Sequence, residues 1–113
     1  MHTGQLYASG DWLVEEGRQE EFEVQWTEFT TWSRDNAPGS HSFTLLRDAA
    51  DPRHYISFAG WDGEASITAW RNSPEFAELL GRCRAVCEQF QGRDLSVARY
   101  VPERETDRAG SMS

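Results

Sequence analysis

The chain has 113 residues, a length that fits one domain and is too short for two well-buried cores. Its composition, 38% hydrophobic and 12% aromatic, supplies enough bulk for a packed core and argues against wholesale disorder. The formal charge of -8 repels phosphate backbones and anionic lipids, so nucleic acid and membrane surfaces are poor candidate partners.

The N-terminal sequence MHTGQLYASGDW lacks the basic start and apolar run of a signal peptide. No later stretch approaches the ~20 apolar residues of a membrane span. We therefore expect a cytoplasmic protein.

In the first half of the chain, the spacing of the apolar residues changes once. Residues 4–14 alternate loosely and predict a strand, and from Glu16 or Gly17 the apolar residues recur at helical spacing. The sequence RDNAPGS then ends the helix. The inward residues of the predicted strand are Leu6, Ala8, Trp12 and Val14, and those of the helix are Phe22, Trp26, Phe29 and Trp32.

Residues 41–48 and 54–61 read as two strands joined by the short loop AADPR, which predicts a hairpin. A tight loop pairs Leu46 with Ile56 and Phe43 with Ala59. One face of the hairpin then carries Thr44, Leu46, Ile56 and Phe58, and the other carries Phe43, Leu45, Tyr55, Ser57 and Trp61. Both faces are apolar, so each must be covered. One helical layer covers only one face, and we expect a homodimer to cover the face with Leu46, Ile56 and Phe58.

The second half of the chain begins with a short helical segment after Trp61, in which Ile67 and Trp70 point inward. Ser73 suits an N-cap and Pro74 the first position of a further helix. The apolar stripe of this helix is predicted to continue through Cys83, Val86, Cys87 and Phe90 to Gly92, and DLSVARYV to form the last strand.

The predicted order is βαββαβ, an α+β ferredoxin-like fold with a four-stranded antiparallel sheet and its helices on one face. The domain spans residues 4–101. The polar tail, residues 102–113, has no apolar periodicity and is expected to be disordered.

The stretch SFTLLRDAADPRHYISFAGWDGEASITAWRNSPEFAELL resembles the antibiotic biosynthesis monooxygenase family in its hairpin and in the AWR and SPEF motifs. The resemblance implies a dimeric α+β barrel. It also implies a small oxygenase that acts on a planar aromatic or polyketide-like phenol with O₂ and no bound cofactor. Some such members carry a cavity-lining Trp at the end of the third strand and an Asn four residues earlier. Trp61 stands at the first position and Ser57, which has a shorter reach than Asn, at the second.

Haem-degrading relatives share Trp70, Ser73 and Phe76 with this chain but need a His ten residues after that Trp and an Asn on the first strand. Leu80 occupies the first position, and the predicted first strand contains no Asn. Haem degradation is therefore disfavoured.

The titratable residues indicate no metal site. His41 and His54 fall at opposite ends of the hairpin, too far apart to share an ion. Cys83 and Cys87 lie four apart in the predicted helix and are expected to be reduced core thiols. His54 follows a loop, where it is either solvated or a proton-transfer residue at a pocket mouth.

The candidate catalytic residues are therefore Trp61, Ser57 and His54. The candidate substrate-binding residues are Trp61, Ser57, Phe43, Trp70, Trp26 and Phe29, a set that makes either a filled core or an apolar pocket. The two functional hypotheses are a cofactor-independent oxygenase and a non-catalytic dimeric module that binds an apolar ligand or has a filled core.

Overall fold

The fold is built on one antiparallel sheet in a computed structural model that describes residues 1–104. Its strands are β1 (Leu6–Val14), β2 (Ser40–Arg47), β3 (His54–Trp61) and β4 (Cys87–Ser96). They lie in the order β2-β3-β1-β4, so the first and third strands are central and β2 and β4 are the edges. This arrangement confirms the predicted ferredoxin-like α+β fold.

Three helices complete the fold: α1 (Gln19–Asn36), α2 (Glu64–Arg71) and α3 (Pro74–Arg84). The predicted stripe of α1 is buried at Phe22, Trp26 and Phe29, whereas Trp32 is only half-buried. Ile67 and Trp70 are the buried residues of α2, and Ser73 is the N-cap of α3, as the sequence predicts. These side chains join the inward residues of the sheet in one hydrophobic core.

The hairpin between β2 and β3 has the predicted register, with Phe43 opposite Ala59 and Leu46 opposite Ile56. Its loop is held by the carboxylates of Asp48 and Asp51, which accept hydrogen bonds from the backbone N–H groups of Ala50 and Arg53. Residues on alternate positions of β3 therefore face opposite sides. The helical side has Tyr55, Ser57, Ala59 and Trp61 buried.

The predicted end of the last helix is wrong. The structure ends α3 at Arg84, and Cys87 already begins β4, which pairs with β1 from Val14↔Cys87 through Trp12↔Phe90. Apolar residues at 86, 87 and 90 suit a helical stripe, but the unpaired edge of β1 offers these residues a full ladder of backbone hydrogen bonds. The predicted last strand, residues 94–101, shares only residues 94–96 with β4.

Cys83 and Cys87 consequently belong to different elements, and both are free thiols. Burial raises the pKa of Cys83 to about 12 and that of Cys87 to about 11. Both stay protonated and unreactive at neutral pH, which agrees with the expected role of reduced thiols in the core.

The sheet face that the helices leave uncovered carries an apolar group, here called the open face: Tyr7, Thr44, Leu46, Ile56, Phe58 and Leu95. The rings of Tyr7 and Phe58 contact each other across β1 and β3, with centroids 6.0 Å apart. Leu46 and Leu95 are 52% and 48% exposed. The chain as described therefore leaves large apolar side chains of this face in contact with solvent.

Residues 102–104 of the predicted disordered tail have no regular structure, and residues 105–113 lie outside the described part of the chain. Within residues 1–104, no helix combines the length and apolar character needed to cross a bilayer.

Candidate active-site cavity

A cavity of about 360 Å³ lies between the sheet and the helical layer. This volume is at the lower end of the range for small-molecule sites. All four strands and all three helices contribute to its walls, which are mainly aromatic. Its main side chains are Trp12, Trp26, Phe29, Thr30, Phe43, Ser57, Trp70, Arg71, Phe76, Leu80, Phe90 and Asp94.

Most of the aromatic wall residues belong to two groups of contacting rings, and Trp26 belongs to neither. The first cluster comprises Phe43, Trp61, Trp70, Phe29 and Phe76. The second cluster comprises Tyr55, Phe22, Trp12 and Phe90. Both clusters contribute rings to the cavity wall. Ring contacts of this kind stabilise by about 0.5–1.5 kcal/mol per pair beyond the area they bury, so each wall is held by its own packing.

Ser57 is buried in the cavity wall and accepts a hydrogen bond of 3.0 Å from the indole N–H of Trp12. Gly10 makes this contact possible, because a Cβ there would lie 2.6 Å from Trp12 Nε1 and 2.8 Å from Ser57 Oγ. The Ser57 hydroxyl keeps its own hydrogen for a further acceptor. It is therefore a donor in the wall of an otherwise apolar space.

Trp70 is oriented by a similar bond on the helical side. Its indole N–H donates to Ser33 Oγ at 2.9 Å, and Ser33 in turn donates to the backbone carbonyl of Phe29. Ser33 is fully buried, so the bond is protected from water. The plane of Trp70 lies within 12° of that of Phe29. Trp70 and Phe29 therefore stand as parallel rings in the cavity wall.

Trp61 is fully buried but is not among the residues that line the cavity. Its ring lies behind Trp70, at 4.6 Å between centroids, and meets Phe43 edge-on at 6.2 Å. Its indole N–H has no hydrogen-bond partner among residues 1–104. Trp61 therefore supports the wall from the core side.

The other candidate substrate-binding residues, Ser57, Phe43, Trp70, Trp26 and Phe29, come together around the cavity. The candidate His54 does not join them, because it alternates with Tyr55 on β3 and lies on the sheet side away from the helices. There its imidazole contacts Asp11 Oδ1 at 2.8 Å and Asp48 Oδ2 at 3.2 Å. Hydrogen bonds with Asp48 and Asp11 raise the pKa of His54.

Besides Arg93, two charged residues that are absent from the sequence-based candidates line the cavity, Arg71 and Asp94. They form a two-bond ion pair, with distances of 2.9 Å and 2.5 Å, between α2 and β4. The pair lowers the pKa of Asp94. The AWR motif marks Arg71 as the neighbour of Trp70. Because the sequence predicted that the last strand begins only at residue 94, it gave no register for β4, and the position of Asp94 on the helical side could not be predicted.

In the described residues, no group of three or more His, Cys, Asp or Glu side chains is arranged to hold a metal ion. His41, the other hairpin histidine, contacts the single carboxylate of Asp62 at 2.8 Å.

The profile of the antibiotic biosynthesis monooxygenase family matches residues 8–81, more than half of the chain, and the protein belongs to this family. A search of curated proteins found no match.

Solved structures with the same fold include SnoaB, a cofactor-independent oxygenase from Streptomyces nogalater. A mutant of SnoaB is 20% identical, with a TM-score of 0.81 over 88% of this chain and 99% of the other. A putative antibiotic biosynthesis monooxygenase from Bordetella bronchiseptica is 21% identical, with a TM-score of 0.73 over 88% and 99%. One from Caulobacter crescentus is 13% identical, with a TM-score of 0.75 over 85% and 92%. At these identities the likeness establishes the shared fold.

Truncating Trp61 should destabilise the protein strongly, because the fully buried ring has neighbours on all sides. We expect Trp61→Ala to cost about 3–5 kcal/mol in the free energy of unfolding. Trp26→Ala is the matched variant, and it should cost less because one side of that ring already borders empty space. Urea unfolding measures both. Equal losses would mean that the cavity is packed as tightly as the core.

His54 should make stability depend on pH. Its pKa is raised in the folded protein, so its contribution is complete below the unfolded value near 6.5 and is lost as pH rises through the folded value. His54→Gln should therefore destabilise the protein at pH 5.5 by up to about 1 kcal/mol, as for exposed ion pairs, and have little effect at pH 9.

Urea unfolding at the two pH values measures this difference. His41→Gln is the control, since His41 contacts one carboxylate rather than two. An equal loss of unfolding free energy at both pH values in His54→Gln would contradict the raised pKa of His54.

Proposed function

We propose that the protein is a small monooxygenase that oxidises a planar aromatic or polyketide-like phenol with O₂ and without a tightly bound cofactor. Membership of the monooxygenase family supports oxygen chemistry. The observation that carries the proposal is the aromatic-walled cavity of about 360 Å³ between sheet and helices. Flat, apolar walls with few polar groups select a flat, apolar molecule with one or two oriented substituents.

The proposed reaction balances without a reductant. When an anthrone-type CH₂ group is oxidised to a carbonyl, the carbon loses two hydrogens and four electrons. One oxygen atom of O₂ enters the new carbonyl, and the other leaves as water with the two hydrogens. The protein has to bind the ring system, orient its oxygen substituents and exclude bulk water.

Ser57 and Trp61 take different parts in this proposal. Ser57 donates its free hydroxyl hydrogen to an oxygen of the substrate while it accepts from Trp12. Trp61 acts indirectly, since it fixes the position of Trp70 from behind. His54 lies on the other side of the sheet and has no role in the cavity.

A non-catalytic module that binds an apolar ligand is the alternative, and the sparse polar lining of the cavity favours it. Ser57, Thr30, Arg71 and Asp94 are the main polar side chains available there. The Thr30 hydroxyl is already bonded to the backbone carbonyl of Trp26 at 2.9 Å. The two functions differ in one measurement, because a binding module would bind the phenol and consume no oxygen.

Filling the cavity should abolish function. Leu80→Trp introduces a large ring into the space, and we expect loss of at least nine-tenths of oxygen uptake with an anthrone substrate. Glu78→Trp, an exposed position on the same helix, is the control and should retain activity. An oxygen electrode measures oxygen uptake, and tryptophan fluorescence measures binding of the anthrone.

Wild-type protein that consumes oxygen no faster than the uncatalysed reaction across a panel of such phenols would contradict the oxygenase. Binding without uptake would then support the alternative module.

The same proposal includes a homodimer that buries the open face. Packing the face against a second copy by a two-fold axis would cover Leu46, Ile56 and Phe58 in both chains at once. The exposed apolar side chains of this face motivate the assembly. The free thiols of Cys83 and Cys87 fit the reducing cytoplasm.

A charge on the open face should break the dimer. Phe58→Glu would bury an unpaired carboxylate in the interface, so we expect a monomeric mass or a large fall in dimer stability. Light scattering at micromolar concentration measures the mass. Val24→Glu, at an exposed apolar position on α1, is the control and should stay dimeric. A wild-type mass near 12.9 kDa would contradict the dimer.

A further inference from the structure

Arg71 and Asp94 are two of the three charged residues that line the cavity, the third being Arg93, and they come from opposite layers. Arg71 ends α2, directly after the wall residue Trp70, and Asp94 lies on the helical side of the edge strand β4. Their two hydrogen bonds, Nη1 to Oδ2 at 2.9 Å and Nη2 to Oδ1 at 2.5 Å, are a paired fork of the strong charge-assisted type. The side chains of Arg71 and Asp94 are 38% and 53% exposed, so the pair lies where the cavity opens to solvent.

The fork leaves part of Arg71 available for a ligand. A guanidinium carries five N–H donors, and Asp94 engages one on each terminal nitrogen. The Arg71 Cζ atom lies 6.0 Å from the centre of the Trp70 ring. Asp94 thus holds a cation, with donors to spare, beside the flat wall against which a planar ligand would stack.

We propose that Arg71 stabilises the acidic hydroxyl of the bound phenol as its anion, and that Asp94 is the positioning residue that orients the guanidinium. This inference rests on the proposed function and deepens it, because it assigns the substrate an ionisable hydroxyl at the Arg71 end of its ring system. The proton leaves the phenol oxygen for water at the cavity mouth, and no oxidation occurs in this step. The resulting anion is the electron-rich form of the substrate.

Two opposing effects set the pKa of a phenol bound in the cavity. Apolar walls penalise an anion and raise the pKa of a bound phenol, whereas a cation within about 4–6 Å lowers it. Ser57 offers one neutral donor and cannot supply the same effect. If Arg71 served only to tie α2 to β4, neutralising either partner of the pair would have the same consequence.

The test uses a hydroxyanthraquinone, a three-ring phenol whose visible absorption changes on ionisation. Its ionisation is titrated while it is bound to wild type, Arg71→Gln, Asp94→Asn and the control Arg82→Gln. Arg82 is also paired with a carboxylate, Glu78, but does not line the cavity. The readout is independent of oxygen uptake.

We expect the ionisation constant of the bound probe to fall at least tenfold in Arg71→Gln relative to wild type, one pKa unit upward. In Asp94→Asn it should fall by less than in Arg71→Gln, because the cation remains and only its orientation is loosened. Arg71→Lys, which keeps the charge, should retain more of the effect than Arg71→Gln. Arg82→Gln should match wild type.

Probe binding with the same ionisation constant in wild type and Arg71→Gln would overturn this inference and leave the proposed oxygenase intact. Equal shifts in Arg71→Gln and Asp94→Asn would overturn it in favour of a purely structural ion pair. A probe that fails to bind wild type would contradict both the inference and the proposed use of the cavity.

Discussion

The cavity depends on two clusters of packed rings that join the helical layer to the sheet and supply rings to the cavity wall. The first cluster is built around Trp61 and Trp70 and the second around Trp12 and Phe22. Each cluster is internally packed, so its rings cannot move into the space between without losing contacts they already make. Buried hydrogen bonds fix two of the three Trp rings that line the cavity, Trp12 through Ser57 and Trp70 through Ser33. A chain of this length thereby keeps a space between its sheet and its helices.

The two sides of the sheet differ in how far their apolar side chains are buried. On the helical side, Tyr55, Ser57, Ala59 and Trp61 are buried, and the cavity lies between this side and the helices. On the other side, half-buried Ile56 and Phe58 lie beside exposed Leu46. Polar residues such as Asp11 and His54 border this apolar group. The His54 carboxylate cluster therefore lies on the side of the sheet away from the cavity.

Most of the fold could be predicted from the sequence because the helix boundaries and the hairpin turn depend on residues that are close together in the chain. The loop AADPR fixed the pairing of Leu46 with Ile56, and Pro74 marked the start of α3. The end of that helix could not be predicted, since Cys87 and Phe90 suit a helical stripe as well as a strand. Pairing with β1, far away in the chain, decides between them. The site also depends on contacts between residues that are distant in the chain. The sequence identified Trp26, Phe29 and Trp70 as candidates, but it did not show whether their rings pack together or leave a cavity. It also did not show that Asp94 contacts Arg71.

A crystal structure of the protein with a bound hydroxyanthraquinone would show whether the aromatic layer holds a ligand site or a filled core. We expect electron density for the flat ring system between the two aromatic clusters, against Trp70. We also expect a ring oxygen within about 3 Å of a nitrogen of Arg71. A structure in which the rings of the two clusters close upon each other, or in which the probe binds only outside the cavity, would contradict the ligand site.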